Sequence, residues 1–277
     1  MDPRYLYGVV LLSALGHASW NAMLKRSSDR LLMMTAMRVV GVSFGLVALS
    51  LVEWPSSRSI PWLIGATCAL WVYQVLLVAS YEAADLSFVY PLARGIAPVL
   101  VAGLSFLVIG ETLSPGQTSG VLLISIGVAV LALMGRGGRL GLTYAVFTGG
   151  SIATYSLLSG AGVRSSGSVL AFGAALEVAN GLGVIGYVLK IRGRTLVPAL
   201  TALGPMGLGA GVISVAGYLA FLLAANYLPI GPVSAIRECS ALFGVLIGVF
   251  VLKEGFGAIR ATAATLMLTG VFLLAAL

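Results

Sequence analysis

With 277 residues, 59% of them hydrophobic and only 9% charged, the chain is too apolar to cover a water-exposed surface, because a soluble domain carries about a quarter charged residues. The mean hydropathy of +1.06 points instead to a polytopic α-helical membrane protein. The net charge of +7 does not imply a nucleic-acid partner, since the basic residues fall mostly in short loops, where they meet anionic lipid headgroups. Cys68 and Cys239 both lie in apolar stretches. They set up neither a disulfide framework nor a metal-ligand cluster and read as small buried hydrophobes.

Apolar runs of about 20 residues, the length that crosses hydrocarbon, recur along the whole chain. Ten spans are expected, at 5–24, 31–51, 62–81, 86–109, 116–134, 142–161, 168–190, 200–225, 230–252 and 258–277. The first is too long for a signal-peptide core and contains His17, Trp20 and Asn21, so it reads as a retained span. The connections are short, as in KRSSDR, EWPSSRSIP, GETLSP and GRGGRLG, and leave no room for a soluble domain. Ser114-Pro115 offers an N-cap followed by proline at the first helical position. Pro91 and Pro98 lie inside the fourth span. The 36 glycines suit close helix packing, with Gly41/Gly45, Gly207/Gly211 and Gly244/Gly248 at small-xxx-small spacing.

The chain repeats itself. Arg94 and Arg237, Glu111 and Glu254, and Gly127 and Gly270 are all 143 residues apart. Trp20 lies opposite Tyr155, and Arg38 opposite Glu177, at slightly smaller offsets. Two halves, 1–139 and 140–277, each with five spans, must enter the membrane in opposite senses because five is odd. The expected fold is therefore an all-α membrane protein of ten helices in a 5+5 inverted-topology repeat. Such repeats are common in secondary transporters, with the substrate site near the midplane at the repeat interface. Loops after odd-numbered spans hold ten basic residues, from Lys25 to Arg260, against Arg4, Arg58 and Arg164 on the other side. The positive-inside rule then places both termini outside.

The segments RGIAPVLVAGLSFLVIGETLSPGQTSGVLLISIGVAVLAL and ALFGVLIGVFVLKEGFGAIRATAATLMLTGVFLLAAL resemble the ends of the two repeats in ten-span EamA-type members of the drug/metabolite transporter superfamily. Pro98, Glu111, Gly120 and Gly127 fall on that pattern, as do Glu254 and Gly270, while Ala241 stands where the second proline would be. HASWNAMLKR is similar to EamA-type proteins associated with phosphonate utilisation. The resemblance implies a central cavity, movement of small metabolites, a bacterial inner-membrane location and termini in the cytoplasm, the reverse of the charge count.

Five ionisable residues fall inside spans: Arg38, Arg94, Glu177, Arg237 and Glu238. Each costs about 2.5–3.5 kcal/mol at the centre of a span, so they must pair, line water, or both. One reading is an internal ion-pair set. The other is a wet, cation-lined pocket in which the surplus arginine receives a carboxylate, phosphate or phosphonate through its planar fork. Tyr90 shares a helix face with Arg94, and His17 with Asn21, with Trp20 beside them. Tyr155 and Asn180 complete the candidate substrate-binding set. His17, Glu177 and Glu238 are the groups that would carry a coupling proton. Glu111 and Glu254 are expected to complement the dipole of the next helix. The sequence offers no partner for its lone histidine and no phosphate-binding P-loop, so a carrier without cofactor or metal is expected rather than an enzyme or an ATP motor. It would act on a small polar solute, with the lipid bilayer as its setting, as a monomer or weak homodimer.

Overall fold

In the computed structural model, residues 3–83, 85–250 and 257–276 are described. Among them there is no strand, and twelve α-helices run α1 (Pro3–Arg26), α2 (Arg30–Leu51), α3 (Ile60–Ala83), α4 (Leu86–Ile109), α5 (Pro115–Val130), α6 (Gly138–Ser166), α7 (Val169–Arg192), α8 (Leu196–Ala202), α9 (Gly204–Tyr227), α10 (Ile230–Glu238), α11 (Ser240–Phe250) and α12 (Ala258–Ala275). Eight helical segments are long and apolar enough to cross a membrane, the make-up of a multi-pass membrane protein. The helices α1 and α6 are 24 and 29 residues long but are not among the eight. Ser13, His17 and Asn21 dilute the first, and a run of Thr, Ser and Gly residues dilutes the second.

Local chemistry sets the ends. Ser114 and Gln117 form a reciprocal capping box at α5, with Pro115 behind the cap. Gly110 ends α4 in the left-handed region, φ 68°, where a side chain would be strained. The eighth expected span begins later than the sequence suggested. Gly204, φ 54°, separates the short α8 from α9. The ninth is not one helix. It stops at Glu238, turns at Cys239 through a tight bond from the Cys239 amide to the Ile236 carbonyl (3.0 Å), and restarts at Ser240. The fourth, by contrast, runs unbroken through Pro91 and Pro98.

The packing pairs α2 with α7, α5 with α12, α3 with α6 and α1 with α9. Small residues permit the close approaches. A Cβ on Gly270 would lie 2.7 Å from the Gly120 carbonyl, and one on Gly127 2.9 Å from that of Ala263. Gly45 and Gly211 likewise meet α7 and α2, but Gly244 faces open space, so its expected packing role is corrected. Cys239 is buried as expected; Cys68 is exposed.

Polar ties join helices distant in sequence at both ends of the bundle. At one end Asp29 accepts from Arg192 (2.5 Å) and caps α2 through the Leu32 amide (2.9 Å), while Asp85 holds the Arg136 amide (3.0 Å). At the other, Arg164 donates to Glu111 (2.9 Å) and to the Ala225 and Leu228 carbonyls. Glu111 in turn accepts from the Ile230 amide (2.8 Å). Glu111 thus serves the N-terminus of α10 rather than that of the helix following it. Glu254 lies outside the described residues.

Asp29→Ala is expected to lower stability by about 0.5–2 kcal/mol through the lost cap, the exposed ion pair adding little. The bond from Arg192, followed by that from the Leu32 amide, holds the Asp29 carboxyl below its usual range. This contribution therefore stands above about pH 4, the value of a free aspartate, and is lost as pH falls through the lower folded value. Melting curves of both proteins against pH check the sign.

Candidate functional site

The break between α10 and α11 carries the densest cluster of buried charge among the described residues. Arg94, from α4, is only 4% exposed, and Arg237 and Glu238, at the end of α10, 6% and 0%. Arg94 Nη1 donates to Glu238 Oε2 at 2.6 Å, and Arg237 Nη2 lies 3.6 Å from Oε1 of the same carboxylate. One acid therefore stands between two guanidinium groups. Arg237 Nη2 also donates to Ser156 Oγ (3.1 Å) and Tyr155 OH (3.4 Å).

The second donor edge of Arg94 meets His17 Nε2 at 2.6 Å. A guanidinium has donors only, so this nitrogen must be the acceptor, and the ring is the neutral tautomer with its proton on Nδ1. In this arrangement His17 stores no proton; to take one it must first leave Arg94. Aromatic faces cover both cations. Arg94 sits 4.7 Å from the centre of the Tyr90 ring, and Arg237 lies 4.4 Å from Phe221 and 5.6 Å from Tyr155. Such contacts supply attraction that survives desolvation.

A second polar cluster lies between α2, α3, α7 and α9. Arg38 pairs with Glu177 (3.3 Å) and reaches Ser214 (3.4 Å). Asn180 accepts from Gln74 (3.1 Å). The expected set thus divides. His17, Tyr90, Arg94, Tyr155, Arg237 and Glu238 converge at the helix break, while Arg38, Glu177 and Asn180 form the neighbouring group. Trp20 makes an edge contact with His17 (4.7 Å) and otherwise packs against Met33, Met37 and Ala210. Asn21 bonds back to the His17 carbonyl (2.8 Å) within its own helix. Ser156, Phe221 and Ser240 touch the arginines and were not anticipated. Nothing in a lone serine or phenylalanine separates them from packing residues, although Ser156 follows Tyr155 directly.

The expectation of an open, wet pocket is corrected for this conformation. The void beside Arg94, lined by Tyr73, Tyr90, Thr148 and Ile152 among others, is too narrow for a water molecule. The charges are closed over by protein. Closure leaves buried polar atoms without hydrogen-bond partners, among them Arg94 Nε, Glu238 Oε1 and Thr148 Oγ1. Each such atom carries a desolvation penalty of about 1–3 kcal/mol.

No protein-family model matches the chain, and no curated protein matches it. Solved structures do. One, described as "Crystal structure of protein", aligns with a TM-score of 0.70 over 98% of this chain and 95% of that one, at 16% sequence identity. At that identity the likeness shows a shared fold and nothing about chemistry.

The His17 contact makes a separable prediction. His17→Phe strands a buried guanidinium donor and should cost about 1–3 kcal/mol. His17→Gln, whose amide oxygen can accept in place of Nε2, should retain most of the stability. Thermal unfolding of the two variants in one detergent compares them directly.

Proposed function

We propose that the chain is a secondary transporter of the ten-span EamA type, within the drug/metabolite transporter superfamily. On this reading it carries a small polar metabolite bearing an anionic group, such as an organic acid, an amino acid or a phosphonate-like compound, across the bacterial inner membrane by alternating access. The observation that carries the reading is the convergence of Arg94 and Arg237, one from each half, on a single carboxylate at a helix break. Broken helices at the midplane are where transporters of this construction bind solutes.

Two further features support it. Exchanging helices one to five with six to ten, counting α8 with α9 and joining α10 and α11, maps the packing pairs onto themselves: α3 with α6 becomes α9 with α1, while α2 with α7 and α5 with α12 return to themselves. Residues at equal offsets also meet, as Arg38 does with Glu177 across α2 and α7. An inverted repeat of halves 1–139 and 140–277 accounts for both. The basic end, with Arg136, Lys190, Arg192 and Arg194, would face the cytoplasm.

One observation favours a second reading, a structural ion-pair network: the void beside Arg94 admits no water. Lysine substitution separates the two. Arg94→Lys and Arg237→Lys keep the charge that an internal pair needs but lose the planar fork that grips an anion. In liposomes, solute exchange by a carrier should fall by about tenfold or more in each variant, a loss of about 1.4 kcal/mol in binding, while the detergent-purified protein stays monodisperse. Unchanged exchange, or no flux by folded wild-type protein over a broad panel of metabolites, would overturn the proposal.

A further inference from the structure

We infer that Glu238 occupies the place of the substrate's own anionic group, which makes this a site for a monovalent carboxylate rather than for a dicarboxylate or a divalent phosphonate. The inference rests on the anion-carrier reading above and narrows its substrate class.

The first argument is charge. Two guanidinium groups, one carboxylate and an imidazole held neutral as an acceptor leave a surplus of one positive charge. The neighbouring Arg38–Glu177 pair is neutral in itself. In a buried site uncompensated charge is expensive. One monovalent anion brings the count to zero; a divalent one overshoots it.

The second argument is the repeat. At the shared offset of 143, Arg94-Gly95 lies opposite Arg237-Glu238. The cation is duplicated and the acid is not. The first half has no room for one, because even a Cβ at Gly95 would sit 2.7 Å from the Ser125 carbonyl and 2.8 Å from the Ala129 amide. The count of two cations to one acid is thus fixed by packing against α5.

The third argument is incomplete bonding. Glu238 makes one short bond, to Arg94, and one stretched contact, to Arg237, with Oε1 lacking a hydrogen-bond donor. Arg94 Nε and Thr148 Oγ1 are also unpartnered, and both residues line the narrow void. Glu238 is the last residue of α10, directly before the Cys239 turn, so it can move aside without unwinding a helix. An entering carboxylate takes its bonds to the arginines, while Glu238 stays within the site and keeps the charge count.

The test is a thermal-shift titration of purified wild-type protein and Glu238→Gln with benzoate and phenylphosphonate, which share a ring and differ in charge, in mildly alkaline buffer at fixed ionic strength. Wild type should bind benzoate about tenfold or more tightly than phenylphosphonate. The glutamine variant, with a surplus of two positive charges, should reverse that order by a similar factor, each tenfold being about 1.4 kcal/mol. Wild-type preference for phenylphosphonate, or an unchanged ratio in the folded variant, overturns the assignment of Glu238 and leaves the carrier reading standing. Binding of neither anion to wild type overturns this inference, and the carrier reading falls with it only if the liposome panel also shows no flux. If the glutamine variant does not fold, Glu238→Ala is purified with acetate or with methylammonium. Acetate alone should restore its melting temperature, and failure of that rescue overturns the assignment.

Discussion

A charge placed where neither water nor lipid can solvate it must be answered by another charge, and here two guanidinium groups share one carboxylate. Arg94 and Arg237 are each almost wholly buried, and Glu238 completely so. The surroundings compensate with whatever binds a cation without water: the bare nitrogen of His17, the hydroxyl of Ser156 and the faces of Tyr90, Tyr155 and Phe221. The cluster is well covered and imperfectly satisfied. A buried network with orphaned atoms is a poor stabilising device, and the same imperfection gives a ligand something to complete.

The fold brings these groups together by breaking one helix and continuing another. α4 runs through two prolines and presents Arg94 from its middle. α10 ends at the acid itself, and the turn at Cys239 allows α11 to resume the crossing. Ties between helices distant in sequence lie at both ends, through Glu111 and Arg164 at one and Asp29 and Arg192 at the other. Both sets are formed, and there is no space for water beside Arg94. A ligand that binds more tightly to one opened form shifts the population by its differential affinity.

Much of this was legible in the sequence because hydrophobic runs and buried charge leave strong signals. The limits of α4 read from the sequence, 86–109, are those found, and the cap at Ser114 follows from its Ser-Pro-x-Gln pattern. The apolar surroundings of Arg94 and Arg237 in the sequence marked both as buried cations. The break after Glu238 was not legible, since VSAIRECSALFGV contains neither proline nor glycine at the turn and reads as uninterrupted helix. Nor was the partner of Glu111, which depends on two chain segments meeting at 119 residues' separation. Asn21 looked like a ligand because spacing reports which face a side chain is on, but not whether it bonds its own backbone first.

The central claim is that the space around the paired arginines opens to water on each side of the membrane in turn. Ser156, bonded to Arg237 and fully buried, is the reporter position. In protein with Cys68 and Cys239 replaced by serine, Ser156→Cys can be treated with a membrane-impermeant, negatively charged methanethiosulfonate from either face of sealed vesicles. The account predicts labelling from both faces, slowed by a saturating transported anion. A thiol that stays silent from both faces in folded protein, yet labels stoichiometrically once the protein is denatured, would contradict it.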